Sequence, residues 1–389
     1  MRSIFISPED YNKRTSAQNV LRAAIFQKFS MSCLGRLERF RLQILVYPIR
    51  FQENPSLRVR YDELFEVLLR VLLKHGFEQQ RARLCAQLFA EASRDGVYSH
   101  GLNRFPQFIR MIRSGIIAVN AEPQLVASFG SLERWDGRSG PGNLNAHWCM
   151  ERAITLSHKR GIGCVALANT NHWMRGGSFG WQAADAEVIG ICWTNTMPNL
   201  PPWGASDLRV GNNPLVIAVP RANGHVVLDM AMSQFSYGAL ASYRMRGEQL
   251  PLDGGFDVTG HLTRDPAAIE ASKRPLPIGY WKGSGLALML DMIAALLSGG
   301  SATFQIPAEP ERETRLSQLF IAIAPHALGQ IAGADTIADQ ILDYLHSPAP
   351  ASGEPIRYPG ERVLRTRKEN LQNGVPVEPT IWREVQSLI

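Results

Sequence analysis

A histidine flanked by a serine and a glycine is the first candidate for chemistry in this chain. Residues 97–105 read VYSHGLNRF, with His100 near the centre and Arg104 four residues later. An imidazole titrates near neutral pH and can donate a proton, and a guanidinium can hold a carboxylate through two hydrogen bonds. Spacing alone leaves three interpretations of His100 open: a packed polar residue, which is the commoner case, a metal ligand, or the proton donor of an enzyme.

Two other stretches carry polar side chains in places where ligands are often bound. His172 and Arg175 lie in NTNHWMRGGSFG, a glycine-rich segment that follows a predicted strand, and loops of this kind tend to carry ligand-facing residues. Asp229 ends an apolar, β-branched run, where a carboxylate is costly to bury without a partner. An aspartate close to a histidine would orient the imidazole and favour its protonated form.

Signatures of other chemistries are absent or incomplete. The dinucleotide motif GxGxxG is approached only at residues 140–142 and 283–285, and both lack the third glycine. No HExxH or HxH pattern supplies metal ligands. GxSxG occurs once, at residues 176–180, after a polar loop rather than the strand that a nucleophile elbow requires. A Rossmann domain, a metal site and a serine hydrolase are therefore disfavoured.

Hydrophobic periodicity predicts the elements that must position these residues. Apolar spacings of three and four predict helices, and β-branched runs bounded by turn residues predict strands. The predicted helices cover residues 61–74, 79–92, 105–112, 146–159, a long apolar stretch from about 285, and 336–345. The predicted strands cover residues 164–168, 188–193 and 319–323, with an antiparallel hairpin that turns at Asn223-Gly224. His100 is thus expected in a loop or helix entry between two helices.

Charge and composition limit the remaining classes of function. Residues 1–56 hold nine Lys/Arg and four Asp/Glu, a net +5, so the other 333 residues carry +6 − 5 = +1. A nucleic-acid-binding domain carries its positive charge on the folded part, so no nucleic-acid partner is expected. The sequence contains no run of eighteen apolar residues, so no membrane span is predicted. Five cysteines without a CxxC pair indicate reduced thiols and a cytoplasmic protein.

The first 56 residues do not continue the patterns of the rest of the chain. They are rich in arginine and fairly apolar, but they lack the compact apolar core of a secretory signal. Three interpretations follow: a disordered N-terminal extension, a transit peptide, or a start codon assigned upstream of a true one near Leu57. The last is preferred.

Six segments carry a family resemblance: VYSHGLNRFPQF, NTNHWMRGGSFGWQAA, TNTMPNLPPWGA, LDMAMSQFSYG, LPLDGGFD and GYWKGSGLALMLDMIAALLS. Together they resemble the malate/L-lactate dehydrogenase family, NAD(P)-dependent oxidoreductases whose fold is not Rossmann, over residues 57–389. The resemblance implies a mixed α/β (α+β) fold with an antiparallel-rich NAD-binding sheet. The parts predicted from it are a helical N-terminal part with the serine-histidine-glycine motif (57–135), a central NAD(P)-binding domain (136–300) and a C-terminal part that completes the fold (301–389).

The same resemblance implies an activity and a set of roles. The activity is reduction by NADH or NADPH of a keto group next to a carboxylate, on a diketo sugar acid. The alternatives are another keto acid, related to malate, lactate or sulfolactate, and a cyclic imine acid. His100 would donate the proton with support from Asp229, and Ser99, Arg104 and His172 would bind the substrate. Cofactor contacts are implied for His225, Val226, Val227, Leu228, Asp229, Met230, Ala231, Trp281, Lys282, Gly360, Glu361 and Arg362. A homodimer is implied; a non-catalytic binding protein is the alternative from another class.

Two residues depart from the family pattern near the cofactor. Arg362 stands where an acidic residue is more usual, and His225 stands where an aliphatic residue is expected. The sequence therefore leaves the preference between NADH and NADPH open.

Overall fold

The β-rich runs of the chain assemble mainly into one seven-stranded mixed sheet. The computed structural model describes residues 57–329, 333–348 and 355–389. Its strands are β1 (Arg58–Val59), β2 (Gln124–Phe129), β3 (Leu132–Asp136), β4 (Ile162–Asn171), β5 (Ile189–Thr194), β6 (Leu215–Val219), β7 (Val226–Met230), β8 (Gly255–Phe256), β9 (Leu262–Thr263), β10 (Thr314–Ile323) and β11 (Val375–Pro376). The prediction on residues 1–56 lies outside the described residues.

The main sheet has the strand order β2-β3-β4-β10-β5-β6-β7. Its neighbouring strands are antiparallel except β3 and β4, which are parallel. The antiparallel-rich sheet of a mixed α/β fold is therefore confirmed, and so is the β6–β7 hairpin, in which Val219 pairs with Val226 across the Asn-Gly turn. β10 comes from the last part of the chain but lies between β4 and β5. The predicted boundaries at residues 135 and 300 stay predictions.

Helices cover both faces of this sheet and build a separate helical layer. They are α1 (Tyr61–Lys74), α2 (Gln79–Arg94), α3 (Phe105–Arg113), α4 (Gly142–Arg160), α5 (Gly177–Asp185), α6 (Tyr237–Met245), α7 (Pro266–Ser272), α8 (Trp281–Ser298), α9 (Ala334–His346), α10 (Glu361–Asn373) and α11 (Pro379–Gln386). Because side chains alternate along a strand, Val165 and Leu167 of β4 pack on the α4–α5 side while Ala166 packs on the α8 side.

The helical layer holds the N-terminal part of the described chain together. Residues of α1, α2 and α3 share one apolar cluster, which also includes Trp382 and Val385 of α11. Leu64, Leu68 and Phe89 are buried in it. The C-terminal helix thus completes the core that the first helices begin, and this core supports the turn that carries His100.

Several elements begin or end outside their predicted bounds. α4 begins at Gly142 and α8 at Trp281, four residues before the predicted starts, and β10 begins at Thr314 rather than 319. The β2–β3 hairpin and the helices α6, α7, α10 and α11 were not predicted. β2 has every residue exposed, and in α10 Asn370 is the one residue that is fully buried. Neither pattern shows the apolar periodicity on which the predictions rest.

Candidate active site

The turn that carries His100 is fixed by a glycine that packs against α2. Tyr98–His100 forms one 3₁₀ turn, and Gly101 follows it. A Cβ at Gly101 would overlap Ser93 Oγ and stand 3.0 Å from Phe89 O, so only glycine allows this approach. Ser93 Oγ accepts a hydrogen bond from Leu102 N at 2.8 Å. The glycine of the serine-histidine-glycine motif therefore holds the histidine against a rigid helix.

His100 lies between a hydroxyl and a second imidazole. Its Nδ1 is 2.9 Å from Ser99 Oγ, within hydrogen-bond distance, and its ring stacks on His172 with centroids 5.7 Å apart. Burial, together with the charges of Arg104 and Arg175, lowers the pKa of His100 to about 4. At neutral pH both imidazole rings of this pair are uncharged, since burial also lowers the pKa of His172.

The segment that follows β4 fixes the orientation of His172 and is hydrogen-bonded to Asp229. Met174 N donates a hydrogen bond to His172 Nδ1 at 2.9 Å, which leaves Nε2 as the protonated nitrogen of the neutral ring. Gly177 N donates to Asp229 Oδ2 at 2.8 Å, and a Cβ at Gly177 would stand 2.8 Å from the same oxygen. Burial raises the pKa of Asp229, and Arg175 and the Gly177 amide oppose that rise.

Asp229 and His100 face the same space, but they are not bonded to each other. Among the hydrogen bonds and ion pairs of the described residues, Asp229 uses Gly177 N and His100 uses Ser99 Oγ. The expected support of His100 by Asp229 therefore stays a prediction.

A buried carboxylate joins three arginines behind this segment. The side chain of Asp95 is 1% exposed. It accepts hydrogen bonds from Arg367 Nε at 2.8 Å and Nη2 at 2.7 Å, from Arg175 Nη1 at 2.6 Å, and from Arg94 Nε at 2.8 Å. Burial alone would raise the pKa of Asp95, but the hydrogen bond from Arg367 and the charge of Arg175 lower it below its usual range. The ionised carboxylate thus ties α2 to the His172 segment and to α10.

Arg104 has a different acidic partner. Its Nη2 is 3.8 Å from Glu313 Oε2, and Glu313 Oε1 accepts a hydrogen bond from Met197 N at 3.2 Å. Burial raises the pKa of Glu313, and Arg104 opposes the rise. The charge of Arg104 reaches both His100 and His172, because it contributes to lowering the pKa of each.

His100, His172, Arg175 and Asp229 line a cavity of about 570 Å³. The predicted site residues on its wall are Ser99, His100, His172, Val227, Leu228, Asp229, Ala231 and Gly360. The predicted residues that do not line it are Arg104, His225, Val226, Met230, Trp281, Lys282, Glu361 and Arg362. The predicted proton donor, its predicted support and parts of two predicted cofactor stretches, β7 and Gly360, therefore line one cavity.

The two predicted cofactor stretches around β7 and Gly360 are in direct contact. Val227 N donates a hydrogen bond to Pro359 O at 2.9 Å, and a Cβ at Gly360 would stand 3.1 Å from Val227 N. Gly360 also has a φ of +98°, which glycine adopts without strain. Two segments that lie more than 130 residues apart in the sequence, around Val227 and Pro359, thus meet at the edge of the cavity.

The other predicted cofactor residues do not line the cavity, and several have contacts of their own. Trp281 begins α8 and is 67% exposed, and Lys282 follows it. The His225 ring is occupied, because Nε2 lies 2.9 Å from Asp185 Oδ1 and Nδ1 accepts from Arg221 N. Glu361 Oε2 accepts from Tyr358 N at 3.2 Å. Their cofactor roles, and that of Arg362, stay predictions.

Sequence reasoning missed several residues of the cavity wall. They include Trp181, Thr196, Asn212, Ser236, Arg357 and Tyr358. It also missed the role of Asp95, which looks like a solvated residue at a helix end. Arg175 stood out as a loop cation, yet no sequence signal shows that it pairs with a carboxylate 80 positions earlier.

The arrangement suits proton transfer to a small anionic ligand. The cavity brings together a neutral imidazole, a second imidazole of fixed orientation, a buried carboxyl and the cation Arg175. A protonated imidazole that donates its proton to a developing oxyanion acts as a general acid. Within the described residues, no group of three or more His, Cys, Asp or Glu side chains is placed to hold a metal ion.

Known proteins with similar sequences and folds point the same way. The family model for malate/L-lactate dehydrogenase matches residues 59–386. The 2,3-diketo-L-gulonate reductase of Citrobacter koseri is 46% identical over 333 residues, which are 85% of this chain and 100% of that protein. Two solved structures share the fold. The sulfolactate dehydrogenase of Methanocaldococcus jannaschii has a TM-score of 0.79 and 29% identity, over 85% of this chain and 96% of its own. The malate dehydrogenase of Pyrococcus horikoshii has a TM-score of 0.77 and 26% identity, over 85% and 94%.

Proposed function

The chain belongs to the malate/L-lactate dehydrogenase family, and we propose that within this family of oxidoreductases it reduces 2,3-diketo-L-gulonate to 3-dehydro-L-gulonate with NADH or NADPH. The observation that carries the proposal is one cavity lined both by the stacked His100 and His172 and by residues of β7 and Gly360. The likeness to the Citrobacter koseri reductase supports the choice of substrate.

The residues present fit a nicotinamide dinucleotide. Gly360 lies against the backbone of β7 and lines the cavity, so main chain forms part of the wall that an extended cofactor would contact. Trp181 adds an apolar ring to the same wall. Trp281 and Lys282 would contribute a flat surface and a positive charge. When bound, the cofactor supplies the hydride that goes to the carbonyl carbon.

His100 would complete the reaction by protonating the carbonyl oxygen. Reduction places negative charge on that oxygen, and a proton donated to it leaves the alcohol. Ser99 Oγ, beside His100 Nδ1, fixes the ring so that its other nitrogen can face the substrate. His172 would line the pocket, Arg104 would supply positive charge near the carboxylate, and Asp229 would support His100.

The competing proposal keeps the chemistry and changes the substrate. The solved relatives are named for sulfolactate and malate, so another 2-keto acid, or a cyclic imine acid, is the alternative. Thr196, Asn212 and Ser236 on the cavity wall favour a substrate with several hydroxyl groups. Polar groups of a site discriminate strongly against analogues that cannot satisfy them.

A substrate panel tests both the reaction and its substrate. NADH and NADPH oxidation would be followed with 2,3-diketo-L-gulonate, pyruvate, oxaloacetate, sulfopyruvate and a cyclic imine acid. The diketo acid should have the highest kcat/KM, and His100→Asn should abolish turnover while NADH binding stays near that of the wild type. Faster reduction of pyruvate would refute the substrate, normal turnover by His100→Asn would refute the proton donor, and no turnover at all would favour a binding protein.

We also propose that the protein is a homodimer joined through α8. One face of this helix packs on the sheet through Ala287, Leu290 and Ala294. The opposite face is apolar and exposed, with Leu288 at 49%, Met292 at 47% and Leu296 at 72%. A contiguous exposed apolar patch usually marks an interaction site. Among the described helices, α8 alone has the length and the apolar composition that a membrane span needs. Because its other face packs on the sheet, a protein partner is favoured.

A cytoplasmic location is proposed from the state of the cysteines. The four described cysteines, Cys85, Cys149, Cys164 and Cys192, are all free, which is typical of a reducing compartment. Burial raises the pKa of each of them, so their thiols are poorly reactive.

A further inference from the structure

Arg175 carries hydrogen-bond donors that the protein itself does not use. A guanidinium has five N–H donors. In the described part of the chain, Nη1 donates to Asp95 Oδ2, while Nε is buried without a partner. The side chain is 5% exposed and lines the 570 Å³ cavity beside His100 and His172. Buried donors without partners are costly, so their presence here points to a ligand.

Asp95 cannot satisfy the remaining donors of Arg175. The carboxylate already accepts four hydrogen bonds from Arg367, Arg94 and Arg175, which fills its lone-pair positions. It therefore orients the guanidinium but leaves Nε without an acceptor among the described residues; the same guanidinium also acts on Asp229, where its charge opposes the rise in pKa that burial causes. Arg104 differs, because it faces Glu313 and is not among the residues that line the cavity.

We propose that Arg175 binds the carboxylate of the bound keto acid directly, with Asp95 as its positioning residue. This rests on the proposed function for the class of substrate, and it assigns the carboxylate contact to a residue that the sequence did not. Arg175 is three positions from His172 and shares the cavity with His100. A carboxylate held there brings its neighbouring keto group to the imidazoles.

The test uses oxamate, an analogue of a 2-keto acid, and its uncharged methyl ester. Calorimetry on the NADH-bound, full-length protein would give both dissociation constants for the wild type, Arg175→Gln, Arg175→Lys and Arg94→Gln. Arg94 is the matched control, since it also donates to Asp95 but does not line this cavity. Should Arg175→Gln fail to fold, Arg175→Lys keeps the charge toward Asp95 and loses the fork of donors.

Loss of a hydrogen bond between two charged groups predicts about 10- to 100-fold weaker oxamate binding in Arg175→Gln. Binding of the ester should change by less than about 3-fold, and Arg94→Gln should match the wild type for both ligands. Equal losses for acid and ester, an equal loss in Arg94→Gln, a matching loss of NADH affinity, or no oxamate binding by the wild type would each overturn the inference. Failure of the proposed function would show separately, as a wild type that binds oxamate but reduces no keto acid.

Discussion

At the scale of single residues, the proton on His100 is the quantity that links structure to activity. A pKa of about 4 leaves the imidazole neutral at pH 7 before the keto acid binds. Reduction consumes one proton per turnover, so under the proposed mechanism His100 would acquire that proton when an anionic substrate enters or from solvent during the cycle. A nearby negative charge raises the pKa of an imidazole, and the substrate carboxylate brings such a charge.

The direction of the pH dependence follows from this neutral state. In the direction of reduction, log kcat/KM should fall as pH rises from about 5 to about 8, approaching tenfold per pH unit, because the protonated fraction falls. In the direction of oxidation, where His100 must accept a proton, kcat/KM should be level over the same range. Initial rates at saturating cofactor measure both. His158→Asn, outside the cavity, is the control and should keep both profiles; a level profile for reduction would contradict the proton-donor role.

Chemistry at single positions was the part of the site that the sequence could predict. His100, His172 and Asp229 were chosen by residue type and by the turns and strand ends around them, and all three line the cavity. The pairing of Asp95 with Arg175 could not be predicted, because it depends on the packing of α2 against a loop 80 residues away. Long-range charge pairing leaves no periodic trace in a sequence.

At the scale of elements, Gly101 is the point at which α2 determines the position of His100. Gly101→Ala places a methyl group against Ser93 and Phe89 O, so the turn must move away from α2. We expect kcat to fall by about 10- to 100-fold and the melting temperature to fall. Gly115→Ala is the matched control, since its φ is +77° but nothing lies within 4 Å of its Cβ. It should lose stability and keep kcat; unchanged kcat in Gly101→Ala would exclude this positioning role.

Most elements with apolar periodicity were predicted, whereas α10, which is held largely by polar contacts, was not. α1, α2 and the β6–β7 hairpin follow their sequence signals closely. α10 has one fully buried residue, Asn370, whose Nδ2 donates to Arg94 O, and Arg367 stacks on Trp181 at 4.5 Å. Its position depends on charge and aromatic contacts with distant elements, which hydrophobic patterning does not report.

At the scale of the whole molecule, the exposed apolar face of α8 is the feature that favours binding of a partner. An exposed row of Leu288, Met292 and Leu296 lies on the side of the helix away from the sheet. In a symmetric dimer the same face meets itself, so every change on it counts twice. α8 begins at Trp281, a predicted cofactor residue, so the proposed dimer contact and this predicted cofactor contact would belong to one continuous helix.

A charge on this face should separate the subunits. Leu296→Glu buries a carboxylate in each half of the proposed interface, at a cost on the order of several kcal/mol per group. Sedimentation velocity should therefore show a monomer where the wild type is a dimer. Val258→Glu is the matched control, because Val258 is 73% exposed and lies outside α8, and it should remain dimeric. Because α8 carries Trp281, we also expect the monomer to bind NADH more weakly than the control. A monomeric wild type, or a dimer that persists in Leu296→Glu, would refute an interface at α8, and vesicle binding lost in Leu296→Glu would assign the face to a lipid surface instead.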